Sequence, residues 1–439
     1  MKKKEKVLSI VRCCSAILIL IMNLLAVFLP YSLEVFWGIA MVGLCGYAVS
    51  YILMFKETTS RERVPALILA AAAFVLTLVF LCGGALSLYY PIEIVSLLLV
   101  ACYIITELVK IGKDKTKGKA GKKASLVIMA VLLFVIGTLS AVSHIGYGRS
   151  LFSSVVEIFL KASNSGAFES AEAADAYMEE RAAVNDDEYV LPSRNYESSV
   201  HIENISSHQV IFYDGSGSTD GYVLYIHGGA YVNETSAYHV AFCDRLAKKI
   251  NYTVVAPIYP LAPNHTYEET YELVEEIYSQ LLADGKPVVI MGDSAGGGFS
   301  AAFCEYLNEK SIRQPDKAVL LSPWVDVSMS GGTYDDYYDP MLGAPGLRRM
   351  GEKWCGDLDI QDYRISPLFG NVDNFPKTLL LVGTREIFNP DVRAMGDKLA
   401  AAGIDTTLIV GKGMNHVFPV YPTLEGRMAL NTIAEFVID

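Results

Sequence analysis

The stretch Val288-Val289-Ile290-Met291-Gly292-Asp293-Ser294-Ala295-Gly296-Gly297 decides how this chain is read. A short apolar, β-branched run ends in G-x-S-x-G, and the amphipathic pattern of Ala295–Lys310 follows at once. A strand that turns sharply into a helix points the serine hydroxyl out of the bend. Glycines on both flanks let neighbouring backbone approach closely. Ser294 is therefore a candidate nucleophile. The motif is short, and its weight comes from the strand before it and the helix after it.

Working outward, similar units fill the chain from about Tyr196 onward. Strands are expected at Val200–Ile205, Gln209–Tyr213, Tyr222–Ile226, Thr253–Pro257, Val288–Met291, Ala318–Leu321, Thr378–Val382 and Thr406–Val410. Helices are expected between them, at Tyr238–Ile250, Tyr267–Ala283, Ala295–Lys310, Asp391–Ala402 and Glu425–Val437. The later strands are almost continuously apolar, as a sheet covered on both faces requires. Strand–helix alternation implies an α/β sheet with mostly parallel strands. The first two strands lack a helix between them, which suggests one antiparallel edge. The segment Met329–Asn371, rich in Tyr and Gly, interrupts the alternation and reads as a lid or long loop.

Three further elements complete a constellation for acyl transfer. His227-Gly228-Gly229-Ala230 follows the third strand directly. A glycine-rich turn there can aim backbone N–H groups at an oxyanion, joined by the N–H of Ala295 after the nucleophile. A base is needed next. Of seven histidines, His416 in Gly413-Met414-Asn415-His416-Val417-Phe418 stands after the last strand, in the chain order Ser…acid…His. His144 ends an apolar helix, His201 and His208 lie early, and His227 belongs to the glycine turn. His239 opens a helix, and His265 follows Pro263. The acid should follow the preceding strand, in Gly383-Thr384-Arg385-Glu386. Glu386 is the first choice to orient His416 and stabilise its cation. Asp391 is the alternative, although it also suits the first turn of a helix.

Together these residues resemble the hormone-sensitive-lipase-like esterases, a branch of the α/β-hydrolase fold. The resemblance spans about Tyr196–Asp439. It includes Tyr259-Pro260-Leu261-Ala262-Pro263, which is similar to the Y-R-L-A-P segment of that family. It implies an eight-stranded, mostly parallel sheet, carboxylic ester hydrolysis, and a cap from N-terminal helices (about 151–183) and an inserted segment (about 329–371). It also implies that the oxyanion donors in the glycine turn are Gly229 and Ala230. Four departures stand out. Ala230 replaces a usual Gly and narrows the acyl side against bulky tertiary-alcohol esters. Glu386 stands where Asp is usual, and Pro260 and Asn264 replace a usual Arg and Glu.

The other third of the chain is of a different kind. Overall 52% of the 439 residues are apolar and 19% charged, with mean hydropathy +0.32. That is more apolar and less charged than an ordinary soluble chain. Residues 1–125 hold 15 basic and 7 acidic side chains, net +8, and the other 314 hold 21 and 41, net −20. The acidic remainder disfavours non-specific nucleic-acid binding. Five apolar stretches, Val7–Leu29, Val35–Phe55, Ala66–Cys82, Ile92–Val109 and Ala124–Ile145, are each long enough to cross a bilayer as a helix. Lysines or arginines crowd the N-terminus, the second loop (Lys56, Arg61, Arg63) and the fourth (Lys110–Lys123), and are missing from the first and third. The positive-inside rule puts those basic segments in the cytoplasm and the C-terminal part outside it. The first stretch reads as an uncleaved anchor, being long for a signal sequence and lacking a small-x-small site.

Arg12 is expected to snorkel, Glu107 to pair with Lys110, and Glu93 and Glu107 to sit near the interface. No single helix shows a polar stripe, so an anchor fits better than a pore. Gly146 and Gly148 should break the fifth helix, and the apolar run Leu151–Ala162 reads as an outer-leaflet helix or part of a lid. The expected organisation is residues 1–148 in the membrane, 149–195 as amphipathic linker and cap helices, and 196–439 as the hydrolase domain. Cys243, Cys304 and Cys355 allow at most one disulfide. No P-loop, dinucleotide fingerprint or HExxH is present, so neither cofactor nor metal is implied. The expected partners are a small or lipid-like ester and membrane lipid, and the sequence carries no signal of oligomeric state. The alternatives are a serine peptidase or acyltransferase with the same triad, or an inactive hydrolase-like domain of a membrane sensor or transporter.

Overall fold

The computed structural model describes residues 2–53, 60–83, 86–113, 120–215, 217–332 and 334–439. The loop charges at Lys56, Lys115, Lys117 and Lys119 lie outside the described residues. The chain divides into two compact units, Met1–Ser154 with Pro422–Leu424, and Val155–Tyr421 with Glu425–Asp439.

The first unit contains α1 (Lys2–Phe28), α2 (Leu33–Leu53), α3 (Ser60–Gly83), α4 (Tyr89–Lys113) and α5 (Ala120–Ala141). Among the described residues, five helices are long and apolar enough to cross a membrane, with windows Val7–Ala26, Leu33–Leu53, Val64–Leu81, Tyr89–Ile111 and Leu126–Tyr147. Small residues let α1 and α2 approach. A Cβ on Gly46 would stand 2.8 Å from Ser15 Oγ, and one on Gly43 3.2 Å from the Ser15 carbonyl oxygen. Arg12 does not snorkel. It is 2% exposed inside the bundle, its guanidinium carbon 4.8 Å from the Tyr51 ring centroid, where the aromatic face offsets the charge. Glu107 accepts from Lys110 at 3.4 Å as expected, yet it is buried, as is Glu93, which accepts from Ser140 at 2.9 Å. Arg12 and Tyr51 come from α1 and α2, while Glu93 and Glu107 both come from α4, Glu93 reaching Ser140 of α5 and Glu107 Lys110 of its own helix. Past α5 the chain forms a π-helical turn, Val142–Tyr147, closed by Gly148 at φ 73°. Gly146 lies inside that turn and only Gly148 terminates it.

The remaining helices are α6 (Leu151–Ala162), α7 (Ala171–Ala182), α8 (Ala237–Ile250), α9 (Tyr267–Ala283), α10 (Ser294–Glu309), α11 (Ala344–Trp354), α12 (Asn389–Ala401) and α13 (Leu424–Ile438). The strands are β1 (Ser199–Ile205), β2 (His208–Asp214), β3 (Tyr222–Ile226), β4 (Thr253–Pro257), β5 (Val288–Asp293), β6 (Lys317–Leu321), β7 (Lys377–Arg385) and β8 (Thr406–Asn415). They form one sheet in the order β1-β2-β4-β3-β5-β6-β7-β8. Strands β3 to β8 are mutually parallel, and β2 is antiparallel to both β1 and β4. The expected antiparallel edge is thus the β1–β2 pair, and β2 is antiparallel to its inner neighbour β4 as well. All residues of β4 and β5 are buried, since helices cover both faces.

Parallel register brings the carboxyl ends of β3, β5, β6, β7 and β8 to one rim, where open α/β sheets bind ligands. Above it, the expected cap segments pack on each other. The Gly346 N–H donates to the Phe168 carbonyl at 3.1 Å, Arg349 reaches Asp175 at 2.8 Å, and Asn164 donates to the Met341 carbonyl at 3.1 Å. Cys243, Cys304 and Cys355 are buried free thiols.

Helix α10 lies against the loop after β6 so tightly that a Cβ on Gly298 would fall within the radius of the Trp324 carbonyl oxygen. Gly298→Ala is expected to destabilise the fold by about 2 kcal/mol or more, because backbone must move to admit the methyl. A lowered urea midpoint of the detergent-solubilised protein checks this.

Candidate active site

Ser294 sits where β5 turns into α10, at φ 52°, a left-handed conformation that a non-glycine residue adopts only when its surroundings enforce it. The glycines around it enforce the turn. A Cβ on Gly292 or Gly296 would collide with the Gly296 or Ile226 carbonyl. The strain lifts Oγ off the backbone path toward the rim.

His416 follows β8 directly. Its Nε2 lies 2.9 Å from Ser294 Oγ and its Nδ1 2.7 Å from Glu386 Oε2. Ser294 is 8% exposed, His416 3% and Glu386 0%. The second Glu386 oxygen accepts from Ser322 Oγ at 2.8 Å and from the Gly383 N–H. Ser322 also accepts from the Val417 N–H at 3.1 Å, tying the acid loop to the histidine loop. A buried carboxyl group is tolerated when its oxygens are hydrogen-bonded, and here both of them are. The extra methylene of Glu386 does not keep it from the imidazole. Burial pushes the His416 imidazolium down. The Glu386 hydrogen bond, with the charges of Glu386, Asp339 and Asp293, outweighs this and holds the group above the usual histidine value.

Asp391 lies elsewhere. It accepts from the Tyr334 hydroxyl at 2.8 Å in the first turn of α12, and burial pushes it up to about 6. The other six histidines are also placed away from Ser294 Oγ among the described residues. His239 Nε2 meets Asp293 at 3.1 Å, and His265 lies between Asp186 and Glu269 at 2.9 and 2.6 Å. His227 stacks on Tyr259 with centroids 4.3 Å apart, and burial pushes it down to about 4. His201 stacks on Phe212 and His144 on Tyr90, while His208 Nδ1 meets the Ser206 carbonyl.

The glycine turn runs through Gly229 at φ 132°, Ala230 at 55° and Tyr231 at 60°. Successive N–H groups in such a run face one concavity suited to an anion. The Gly228 N–H is already taken, donating to Asp293 Oδ1 at 3.0 Å. Among the described residues, the N–H groups of Gly229 and Ala230 donate to no protein acceptor. Ala295 begins the first turn of α10, where N–H groups have no intrahelical partner. Tyr259, from the segment Tyr259–Pro263, donates to the His227 carbonyl at 2.8 Å and supports the turn from behind. Asn264 bonds Asp186 at 2.7 Å and the Ala182 carbonyl at 3.0 Å, so it braces the cap side in place of a charge.

Sequence reasoning missed three contributors. Asp293, the variable residue before the serine, accepts from Tyr225, Gly228 and His239 at 2.6, 3.0 and 3.1 Å. Burial alone would raise its carboxyl, but the His239 charge and these bonds hold it below the usual range. Ser322 follows β6 directly, with nothing local to mark it. Asp339, from the inserted segment, accepts from the Ile387, Met341 and Leu342 N–H groups at 3.1, 2.8 and 2.9 Å, pinning that segment to the acid loop. Among the described residues, no cluster of His, Cys, Asp and Glu is arranged to hold a metal ion.

The arrangement has known counterparts. A model of the alpha/beta hydrolase fold matches residues 223–420. An esterase from Acinetobacter venetianus is 31% identical over 223 residues, 49% of this chain and 73% of that one. An acetyl-hydrolase from Streptomyces hygroscopicus is 30% identical over 224 residues, 49% and 74% of the two chains. A crystal structure of an esterase from the bacterial hormone-sensitive lipase family, 26% identical, superposes with a TM-score of 0.53 over 61% of this chain and 97% of its own. The strand order, the serine elbow and these relatives converge: the chain belongs to the α/β-hydrolase fold family, in its hormone-sensitive-lipase-like branch, and is a carboxylic ester hydrolase.

Proposed function

We propose that the protein is a membrane-anchored serine esterase acting through Ser294, His416 and Glu386. The observation that carries this is the continuous hydrogen-bonded chain from Ser294 Oγ through the imidazole to Glu386. Ser294 Oγ attacks the ester carbonyl as its proton passes to His416 Nε2. The N–H groups of Gly229, Ala230 and Ala295 receive the oxyanion. His416 then protonates the leaving alkoxide, and water repeats the sequence to release the acid. Glu386 keeps Nδ1 protonated and stabilises the imidazolium without itself taking the proton.

The acyl group is short. Trp354, Tyr231, Trp324 and Phe388 stack in succession, with centroids 4.3, 5.8 and 5.9 Å apart, and Phe388 meets the His416 ring edge-on at 5.1 Å. These fully buried rings fill the volume beside the Ser294 loop, to which the Trp324 N–H donates at 2.9 Å. The Ala230 methyl narrows it further. The acetyl-hydrolase among the relatives supports the same reading. The five apolar helices serve as the anchor, with the N-terminus cytoplasmic and the catalytic domain outside, supported by the basic residues of alternate loops.

Ser294→Ala is expected to lower kcat on p-nitrophenyl acetate on the order of 10⁴–10⁶-fold and to abolish fluorophosphonate labelling. Retained turnover in the purified variant rejects the assignment. The base must be neutral, so kcat/KM should rise with pH through an apparent pKa above the ordinary histidine value of about 6.5. Glu386→Gln removes the counter-charge, moving that limb to lower pH and costing on the order of 10³–10⁴ in kcat. For topology, a membrane-impermeant maleimide should label Ser311→Cys in intact cells and Lys3→Cys only after permeabilisation. The reverse pattern overturns the orientation.

A further inference from the structure

Helix α6 stands at a junction that ester hydrolysis alone does not explain. Its residues Val155, Ile158 and Phe159, spaced i, i+3, i+4, form one exposed apolar face, with Ile158 68% and Phe159 58% exposed. The opposite face carries Glu157, which is buried and grips Arg385 with two bonds of 2.8 Å. Arg385 immediately precedes Glu386. Its guanidinium also lies 4.3 Å from the centroid of Tyr338, the neighbour of Asp339, whose carboxylate holds the Ile387 N–H. A fork-to-fork arginine–carboxylate pair fixes direction as well as distance. Glu157 thus clamps the backbone on one side of Glu386, and Asp339 clamps it on the other.

What covers the apolar face follows from chain length. The last apolar window ends at Tyr147 and α6 begins at Leu151, so four residues allow at most about 14 Å between them. A helix tethered so closely to the end of a membrane span, with an exposed apolar face, has the bilayer surface within reach.

We infer that α6 is a lever between the bilayer surface and the active site: its Val155–Ile158–Phe159 face lies in the lipid headgroup region while Glu157, through Arg385, positions Glu386 against His416. This rests on the triad and the membrane anchoring proposed above. Glu157 touches no reacting atom and is a positioning residue.

The test uses the full chain in phosphatidylcholine nanodiscs, with p-nitrophenyl acetate as substrate. Fluorophosphonate labelling of the parent protein is measured first. Failure there strikes the triad itself and not the lever. Glu157→Gln should lower kcat about ten- to a hundredfold, the order that a misplacement of about 1 Å costs, with KM within about twofold. It should also move the acidic limb of kcat/KM to lower pH, because Glu386 is the carboxylate bonded to His416, with Asp339 and Asp293 more remote. Glu157→Asp, which keeps the charge, should recover most of the loss. A pH limb that does not move, or a kcat within twofold of the parent, overturns the positioning role. For the lipid seat, the emission added by Phe159→Trp should be quenched by lipids brominated near the headgroup and shielded from acrylamide. Ile158→Asp with Phe159→Asp should reproduce the kcat loss of Glu157→Gln. Quenching by acrylamide alone, or an unchanged kcat in the doubly charged variant, overturns the lever.

Discussion

A carboxylate buried at 0% exposure is the constraint around which this site is built. A carboxyl group so deeply buried costs stability unless its oxygens are hydrogen-bonded, and donors from two loops and one strand end reach them. His416 comes from beyond β8, Ser322 from beyond β6, and the Gly383 N–H from the end of β7. Each loop is held by the next, since Ser322 also receives the Val417 N–H. The geometry around Ser294 depends on this closure more than on the serine elbow. A bent strand–helix turn exposes a hydroxyl, but only an oriented imidazole gives that hydroxyl a proton acceptor.

The parallel sheet makes the closure possible. With β3, β5, β6, β7 and β8 all running the same way, their following loops emerge at one rim within reach of one another. The glycine turn after β3 and the serine turn after β5 adjoin because those strands are hydrogen-bonded neighbours. Asp293 and Tyr259 then stiffen the turn from two sides. The left-handed run Gly229–Tyr231 is costly for Ala230 and Tyr231, and bonds from the rest of the domain hold it in place. The second carboxylate in the acid loop's surroundings, Asp339, comes from the inserted segment. In this way the inserted segment is tied to the chain just after Glu386.

The apolar helices obey a different rule. Inside their bundle Arg12 rests on Tyr51 of α2, Glu93 accepts from Ser140 of α5, and Glu107 is buried with Lys110 one turn on in its own helix. The hydrolase unit meets the same requirement, that buried polarity be paired, with loops; the helical unit meets it with side chains of its helices, across helices at Arg12 and Glu93 and along one helix at Glu107.

The eight strands and the order of serine, acid and histidine were legible in the chain because period-2 and period-3.6 patterns and glycine-flanked turns are local properties. Boundaries moved by only a few residues, as β7 and β8 extended to Arg385 and Asn415 once neighbouring backbone was there to pair with. Glu386 and Asp391 were both candidate acids from sequence, and the fold places one at His416 and the other at Tyr334. The inward position of Arg12, the pairing of β2 with β4, and the contacts of Ser322, Asp339 and Asp293 belong to the tertiary structure. Each depends on which groups from distant parts of the chain meet in a space closed to water, and no local pattern of residues encodes that.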